Sequence, residues 1–309
     1  MVEKADISTA ILKEKKPFSA DVLATALGVG VEIVTEAIAK LESEGYSFAR
    51  SGEKIVKSKA ALPETIFDAS KILHGRHLIF GVVADTHLGS KHARADLLEQ
   101  AYESFETEGV KTVFHCGDLT DGWGVYRGQE FELTVIGQED QITHAREVYP
   151  KSYRATTMLI SGNHDLREYE RGGADPLVQI CRDRRDLVYL GQMAAKVKIG
   201  NVTAELLHPF GGTAYALSYK AQKEINARSP NDLPDILMYG HYHTSFYMHY
   251  RNLHFLQVPS LKDPGVWERR LGLNTTLGFW VVNATLSDDL AFLQKFQPEL
   301  FTFRGKKKA

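Results

Sequence analysis

Cysteine is nearly absent: Cys116 and Cys181 are the only two in 309 residues. Two thiols so far apart build neither a disulfide framework nor a cysteine-rich zinc module. An excess of one charge is also missing. With 37 basic and 39 acidic side chains the formal net charge is −2. No global field therefore drives the chain onto a polyanion, and any such binding must come from a local patch. No apolar run approaches the roughly 20 residues of a membrane span, and "MVEKADISTA" lacks the apolar stretch of a secretory signal. These absences predict a cytoplasmic protein with no membrane partner. What remains is 43% hydrophobic and 25% charged, the balance of a globular protein with a sizeable core. The length suits one large domain and one small one. Histidine, at twelve residues, is the one compositional hint.

Residues 1–60 read as helices followed by a hairpin. Ile7, Ala10 and Ile11 give an apolar face to a first helix that ends before Pro17. Ser19 is the expected cap of a second, "SADVLATAL", which stops at Gly28. A third carries Val34, Ala37, Ile38 and Leu41 on one face and stops at Gly45, and "YSFARSGEKIVKS" reads as two short strands around a turn. That order is the one found in winged helix-turn-helix modules. Residues 61–76 read as a linker. From there to residue 309, apolar strand-like runs alternate with helical patterns, the signature of an α/β layered fold.

The apolar runs share an ending. "HLIFGVVA" is followed by Asp85 and His87, "KTVFHCG" by Asp118, and "TTMLISG" by Asn163, His164 and Asp165. "TAELL" delivers His208, and "DILMYG" delivers His241 and His243. Carboxyl ends of strands form the crevice where layered α/β folds place their sites. In an extended chain, Asp85 and His87, like His241 and His243, point to one side, so each pair converges. Taken singly, every piece has an ordinary explanation: a capped turn, an Asx-turn, a packed histidine. Five in succession at strand ends do not. Asp, His and Asn without thiolate suit hard or borderline divalent ions. Two such ions hold the attacking and leaving oxygens of an in-line displacement at phosphorus.

The order D-T-H, G-D, G-N-H-D, H, G-H-x-H across residues 78–283 resembles the calcineurin-like metallophosphoesterases. "ADTHLG" is closest to the first motif of their DNA-repair nuclease branch. The resemblance implies a four-layer αββα sandwich. It implies two divalent ions, manganese first, with iron, zinc or magnesium as alternatives. Asp85, His87 and His243 would hold one ion, Asn163, His208 and His241 the other, with Asp118 bridging. A hydroxide between the ions would attack phosphorus. His164 would face the substrate and either stabilise the phosphorane or protonate the leaving oxygen, an imidazole's work near neutrality, and Asp165 would orient that ring. His115, inside a strand, reads as a structural hydrogen-bonder. The repair nucleases carry a long capping region after the last motif, and this chain shows none.

Substrate contacts are expected from Trp123, Tyr126 and Arg127 in the long stretch between Asp118 and Asn163, by stacking and charge. A helix anchored by an aromatic ring is the competing explanation. Lys220 and Lys223, after His208, are placed near phosphate or on a solvated helix. The third N-terminal helix carries Glu32, Glu36, Glu42 and Glu44 against Lys40 alone, a poor surface for phosphates. The hairpin, with Arg50, Lys54, Lys57 and Lys59, suits them better. The favoured function is a phosphodiesterase acting on nucleic acid. The alternatives are a phosphatase or diesterase for a small or protein substrate, with the winged helix recruiting a protein partner or second copy, and a non-catalytic scaffold. The scaffold requires missing ligands, and none is missing.

Overall fold

A computed structural model describes residues 4–14, 18–43, 47–51, 54–58, 66–152, 154–167, 169 and 174–304. It divides the chain into two compact units, 1–64 and 65–309.

The first unit contains, in chain order, α1 (Lys4–Lys13), β1 (Phe18–Ser19), α2 (Ala20–Leu27), α3 (Val31–Ser43), β2 (Ser47–Ser51) and β3 (Lys54–Ser58). Ile7 and Ile11 of α1 are one turn apart, as are Val34, Ile38 and Leu41 of α3, and these stripes close on Leu23 and Phe48. Gly28 ends α2 in the left-handed region at φ 67°. Ser19 does not cap α2 through its side chain. It pairs instead with Lys54, as part of a three-stranded sheet ordered β1-β3-β2. The expected stop at Gly45 lies outside the described residues.

The second unit begins earlier than the sequence suggests. Of the expected linker, residues 61–65 lie outside the described residues. Ile66–Asp68, however, forms a strand, β4, paired in parallel with a neighbour at Lys196–Lys198. Then come β5 (His77–Val83), α4 (Ala95–Thr107), β6 (Thr112–Cys116), α5 (Gln138–Val148), β7 (Thr156–Ser161), α6 (Pro176–Arg182) and β8 (Leu187–Gln192). β9 (Ala194–Ile199), β10 (Val202–Leu207), α7 (Leu217–Ala227), β11 (Ile236–Tyr239), β12 (Phe246–Tyr250) and β13 (Leu253–Gln257) follow. α8 (Val266–Arg270), β14 (Gly278–Leu286) and β15 (Leu293–Thr302) complete the unit.

The strands form two six-stranded sheets, ordered β15-β14-β5-β6-β7-β8 and β12-β13-β11-β10-β9-β4. Between them Phe80, Val82, Phe114 and Ile160 of the first meet Val197, Leu206, Met238 and Leu256 of the second. On the outer face of the first sheet, α4 lays down Leu97, Leu98, Ala101 and Phe105, joined by Ile142 of α5 and Leu177 of α6. Their helical spacing gives one apolar face per helix. The second sheet is covered by Ala221 and Ile225 of α7. Helix, sheet, sheet, helix is the four-layer sandwich expected. Within it β5, β6 and β7 run parallel, as do β10 and β11. The carboxyl ends of each parallel set share one edge, and that edge carries the site.

Candidate metal centre

All seven expected ligands gather at these strand ends. His208 Nε2 lies 3.1 Å from an Asp118 carboxylate oxygen and 3.1 Å from Asn163 Oδ1. His243 Nε2 lies 3.1 Å from His87 Nε2 and 3.3 Å from Asp85 Oδ1. Asp118 Oδ2 is also 3.8 Å from His87 Nε2, so this oxygen stands between the two groups. Asp85, His87, Asp118 and His208 are almost wholly buried. His241 completes a cluster with Asp118 and His208 whose donor atoms lie within 4.8 Å of one another.

The backbone that achieves this is not extended. Asp85, His87, Asp118, His241 and His243 all have positive φ, between 46° and 77°. Non-glycine residues adopt this region at a cost of order 1–3 kcal/mol each, and such strain collects at functional sites. The i, i+2 alternation of a strand therefore does not aim these pairs; left-handed turns do. Two glycines make room. A Cβ on Gly117 would stand 2.4 Å from the His208 ring, and one on Gly240 would stand 2.2 Å from the Cys116 carbonyl. Larger residues before Asp118 or His241 would push the sheets apart.

Hydrogen bonds fix which ring atoms face inward. The Cys116 carbonyl accepts from His208 Nδ1 at 2.8 Å, so Nε2 faces the centre. Asp121 accepts from His87 Nδ1 at 2.9 Å, with the same result. The Gly211 carbonyl accepts from His241 Nε2 at 2.9 Å, which leaves Nδ1 for a ligand bond. With these protons committed outward, the neutral rings of His87 and His241 present lone pairs to the carboxylates. His208 turns Nε2 to the Asp118 and Asn163 oxygens, where it carries a second proton in place of an ion. Acceptors facing acceptors in a buried site are the surroundings a cation requires, so the residues present fit a divalent pair.

The charges of the bare site tell the same story. Burial opposes ionisation of Asp118, but the His208 and His164 rings outweigh it and hold the carboxyl well below its usual range. Asp85 is held down against burial by His243. Burial likewise opposes charge on His208, yet Asp118 and Asp85 raise it to about 9. His87 and His241 lack sufficient compensation: burial, helped by neighbouring rings, lowers each to about 4.

A model of the calcineurin-like phosphoesterase superfamily domain matches residues 78–270. The chain belongs to this superfamily. It is 22% identical over 304 aligned residues to the DNA polymerase II small subunit of Archaeoglobus fulgidus, a match covering 82% of this chain and 60% of that protein. It is 28% identical over 123 residues to the same subunit of Halobacterium salinarum, covering 38% of this chain and 24% of that one. The chain thus spans less than two thirds of the length of these curated relatives. Among solved structures it is similar to a novel archaeal phosphodiesterase, at 15% identity and TM-score 0.41, covering 72% of this chain and all of that one. A Vps29 mutant from Entamoeba histolytica is similar at 16% identity and TM-score 0.36, covering 74% of this chain and all of that one.

One expected role is overturned. Asp165 does not orient His164. Its carboxylate accepts from the backbone N–H groups of Leu119, Thr120 and Gly162 and from the Thr120 hydroxyl. It therefore ties the loop after β6 to the loop after β7. Burial and the charge of Asp118 push it up to about 7. The His164 Nδ1 proton goes to the Asp121 carbonyl at 2.7 Å, while the ring meets His87 edge-on at 4.5 Å. Asp121 was missed in the sequence, although "GDLTD" places it three residues after a ligand. It is buried, yet held at about 2: burial opposes its charge, and the His87 hydrogen bond together with the charges of His87, His164 and Lys262 outweighs it.

The other expected residues divide. Trp123, 43% exposed, lines a small recess with His164 and Asp165. The Tyr126 ring centroid stands 6.5 Å from that of His164. Arg127 and Lys223 are exposed, whereas Lys220 lines a separate cavity. His115 approaches the Thr86 hydroxyl at 3.3 Å. Among the described residues, no single helix is long and apolar enough to cross a membrane.

Proposed function

We propose that this member of the superfamily is a metal-dependent phosphodiesterase that cleaves nucleic acid, with manganese as its first-choice metal. The convergence of seven ligands around Asp118, with His164 beside them, carries the reading. Two divalent ions, when bound, neutralise phosphate charge and supply a nucleophile at neutral pH. Asp85, His87 and His243 would hold one, and Asn163, His208 and His241 the other. Asp118 faces both groups. His164 keeps Nδ1–H on the Asp121 carbonyl and so offers Nε2 to the substrate. Protonated there, it donates to the leaving oxygen. The names of the relatives, DNA polymerase small subunits, support a nucleic acid substrate and a protein partner. The N-terminal unit, read as a winged helix, assists by placing the basic hairpin on the phosphate backbone.

A panel of DNA, RNA, cyclic nucleotide, phosphopeptide and a small phosphodiester, each with manganese, tests the reading. Cleavage of DNA or RNA that vanishes in Asp118→Asn is expected. Hydrolysis of the small diester or phosphopeptide alone would move the assignment to a small or protein substrate. Reversing the hairpin charge through Arg50→Glu, Lys54→Glu and Lys57→Glu should weaken DNA binding and flatten its salt dependence. An unchanged salt slope would assign the first unit to protein interaction.

A further inference from the structure

The loop bearing His241 and His243 also forms part of a cavity of about 290 Å³. Tyr242, between these two histidines in the chain, lines it, with its ring centroid 5.2 Å from that of His241. Both of the cavity's flanking segments are tied to the metal centre. The segment bearing Thr213 and Tyr215 follows Gly211, whose carbonyl accepts from His241 at 2.9 Å. The segment bearing Asn274 precedes Thr276, whose N–H donates to the His243 carbonyl at 2.8 Å. The cavity is thereby held in register with the ligands. Whatever occupies it lies at a set distance from a phosphate at the metals.

The chemistry of the lining narrows the occupant. Lys220 is its one charged group, and no carboxylate is present. Gln257 and Asn274 bring amides, and buried Gln257 donates to the Thr244 hydroxyl, which sets the orientation of both. At the rim Tyr215 is fully exposed, a ring free to stack. The volume sits at the lower edge of the roughly 300–1,000 Å³ of small-ligand sites. One planar heterocycle, lying on the exposed Tyr215 ring and reaching in to the buried Tyr242 with its polar edge towards amides, matches size and chemistry together. A base still paired and stacked in a duplex offers neither a free face nor a free Watson–Crick edge.

We propose that this cavity is a subsite for one unpaired nucleobase of the strand whose phosphate lies at the metal centre, stacked by Tyr215 and Tyr242. The assignment rests on the phosphodiesterase reading and specifies its substrate: a single strand, or a frayed end, threaded past His241.

The test uses the full chain. Single-stranded DNA and RNA oligonucleotides, each with 2-aminopurine at a different position, are bound to manganese-loaded Asp118→Asn protein. Quenching confined to one position is expected, and Tyr215→Ala should remove it. In the cleavage-competent protein, Tyr215→Ala and Asn274→Ala should each lower kcat/KM on the strand relative to a small phosphodiester. Loss of one stacked base predicts a fall of about 5–150-fold for Tyr215→Ala. Its exposure leaves folding intact, which a thermal melt verifies. Uniform or absent quenching, with the ratio unchanged in both variants while the parent still cuts DNA or RNA, overturns the subsite and leaves the phosphodiesterase reading standing. A parent that cuts neither polymer and quenches no base overturns both.

Discussion

The two halves of the metal centre orient their imidazoles by different means. His87 is held by a side chain, the Asp121 carboxylate. His208 is held by the backbone, the Cys116 carbonyl at the end of β6. The electrostatic consequences are opposite. His87 sits at about 4 and His208 at about 9, although both are buried. Burial is the first cause in each case, and what differs is the company. His208 lies 3.1 Å from Asp118, which outweighs the cost of charge. His87 has the Asp121 carboxylate at 2.9 Å, but the His164 ring stands against it, and Asp118 and Asp85 lie no nearer than 3.8 and 3.9 Å. His87 is thus prepared as a neutral ligand, and His208 holds a proton where an ion belongs.

Asp118 is the residue the halves share, and replacing it should have the largest effect. Asp118→Asn keeps the shape but halves the acceptors and removes the charge facing both His208 and His87. Hydrolysis is expected to fall to background, with metal content by elemental analysis dropping below two per chain. Retained activity would mean that the halves work separately. The His164→Ala variant should come next. Its ring lies edge-on to His87 and is not among the seven expected ligands, so the rate should fall about 10²–10⁴-fold while bound metal is retained. Loss of metal along with rate would make His164 a ligand instead of a proton donor.

Asp121→Asn should separate the halves. An amide can no longer pull the His87 Nδ1 proton outward as a carboxylate does. Losing such a ligand-orienting partner typically costs 10–100-fold in metal affinity. Calorimetric titration should then show one weakened site and one unchanged site, because no substitution removes the carbonyl holding His208. Equal weakening at both would show that the pair binds as a unit.

The sequence made part of this visible. Runs such as "HLIFGVVA" and "TTMLISG" must be buried strands, and polar residues behind them need a purpose, so the layered fold and the gathering of these polar side chains could be read directly. What sets the ligand geometry could not. The positive φ of Asp85, His87, Asp118, His241 and His243 could not be read locally: Asp and His are enriched in that region, yet most of them still adopt extended or helical backbone. It is imposed by two sheets converging where only Gly117 and Gly240 fit. Asp121 was hidden for a related reason: its carboxylate reaches His87 only because the turn after Asp118 folds back. Ile66–Asp68 is a three-residue edge strand with Ile66 53% exposed, too short and too open to show a period. The nucleobase cavity is assembled from segments some 60 residues apart, which no linear pattern joins.

The contrast in charge predicts a smaller, graded effect on stability. His208 has a folded value of about 9, above the roughly 6.5 of an unfolded histidine. Its contribution is fully present below about pH 6.5 and is lost as pH rises through 9. His87 and His241, lowered to about 4, act in the opposite sense. Their contribution is present above about 6.5 and is lost as pH falls through 4. The metal-free protein should therefore melt highest near pH 6.5, with Tm falling by roughly 5 °C towards either limit. Saturation with a divalent ion replaces the proton on His208 and should flatten the alkaline arm alone. At pH 7.5 the binding enthalpy should then vary with the ionisation heat of the buffer, reporting the released proton. An alkaline arm already flat without metal would show that Asp118 does not hold a charge on His208, and the two halves would be electrostatically alike.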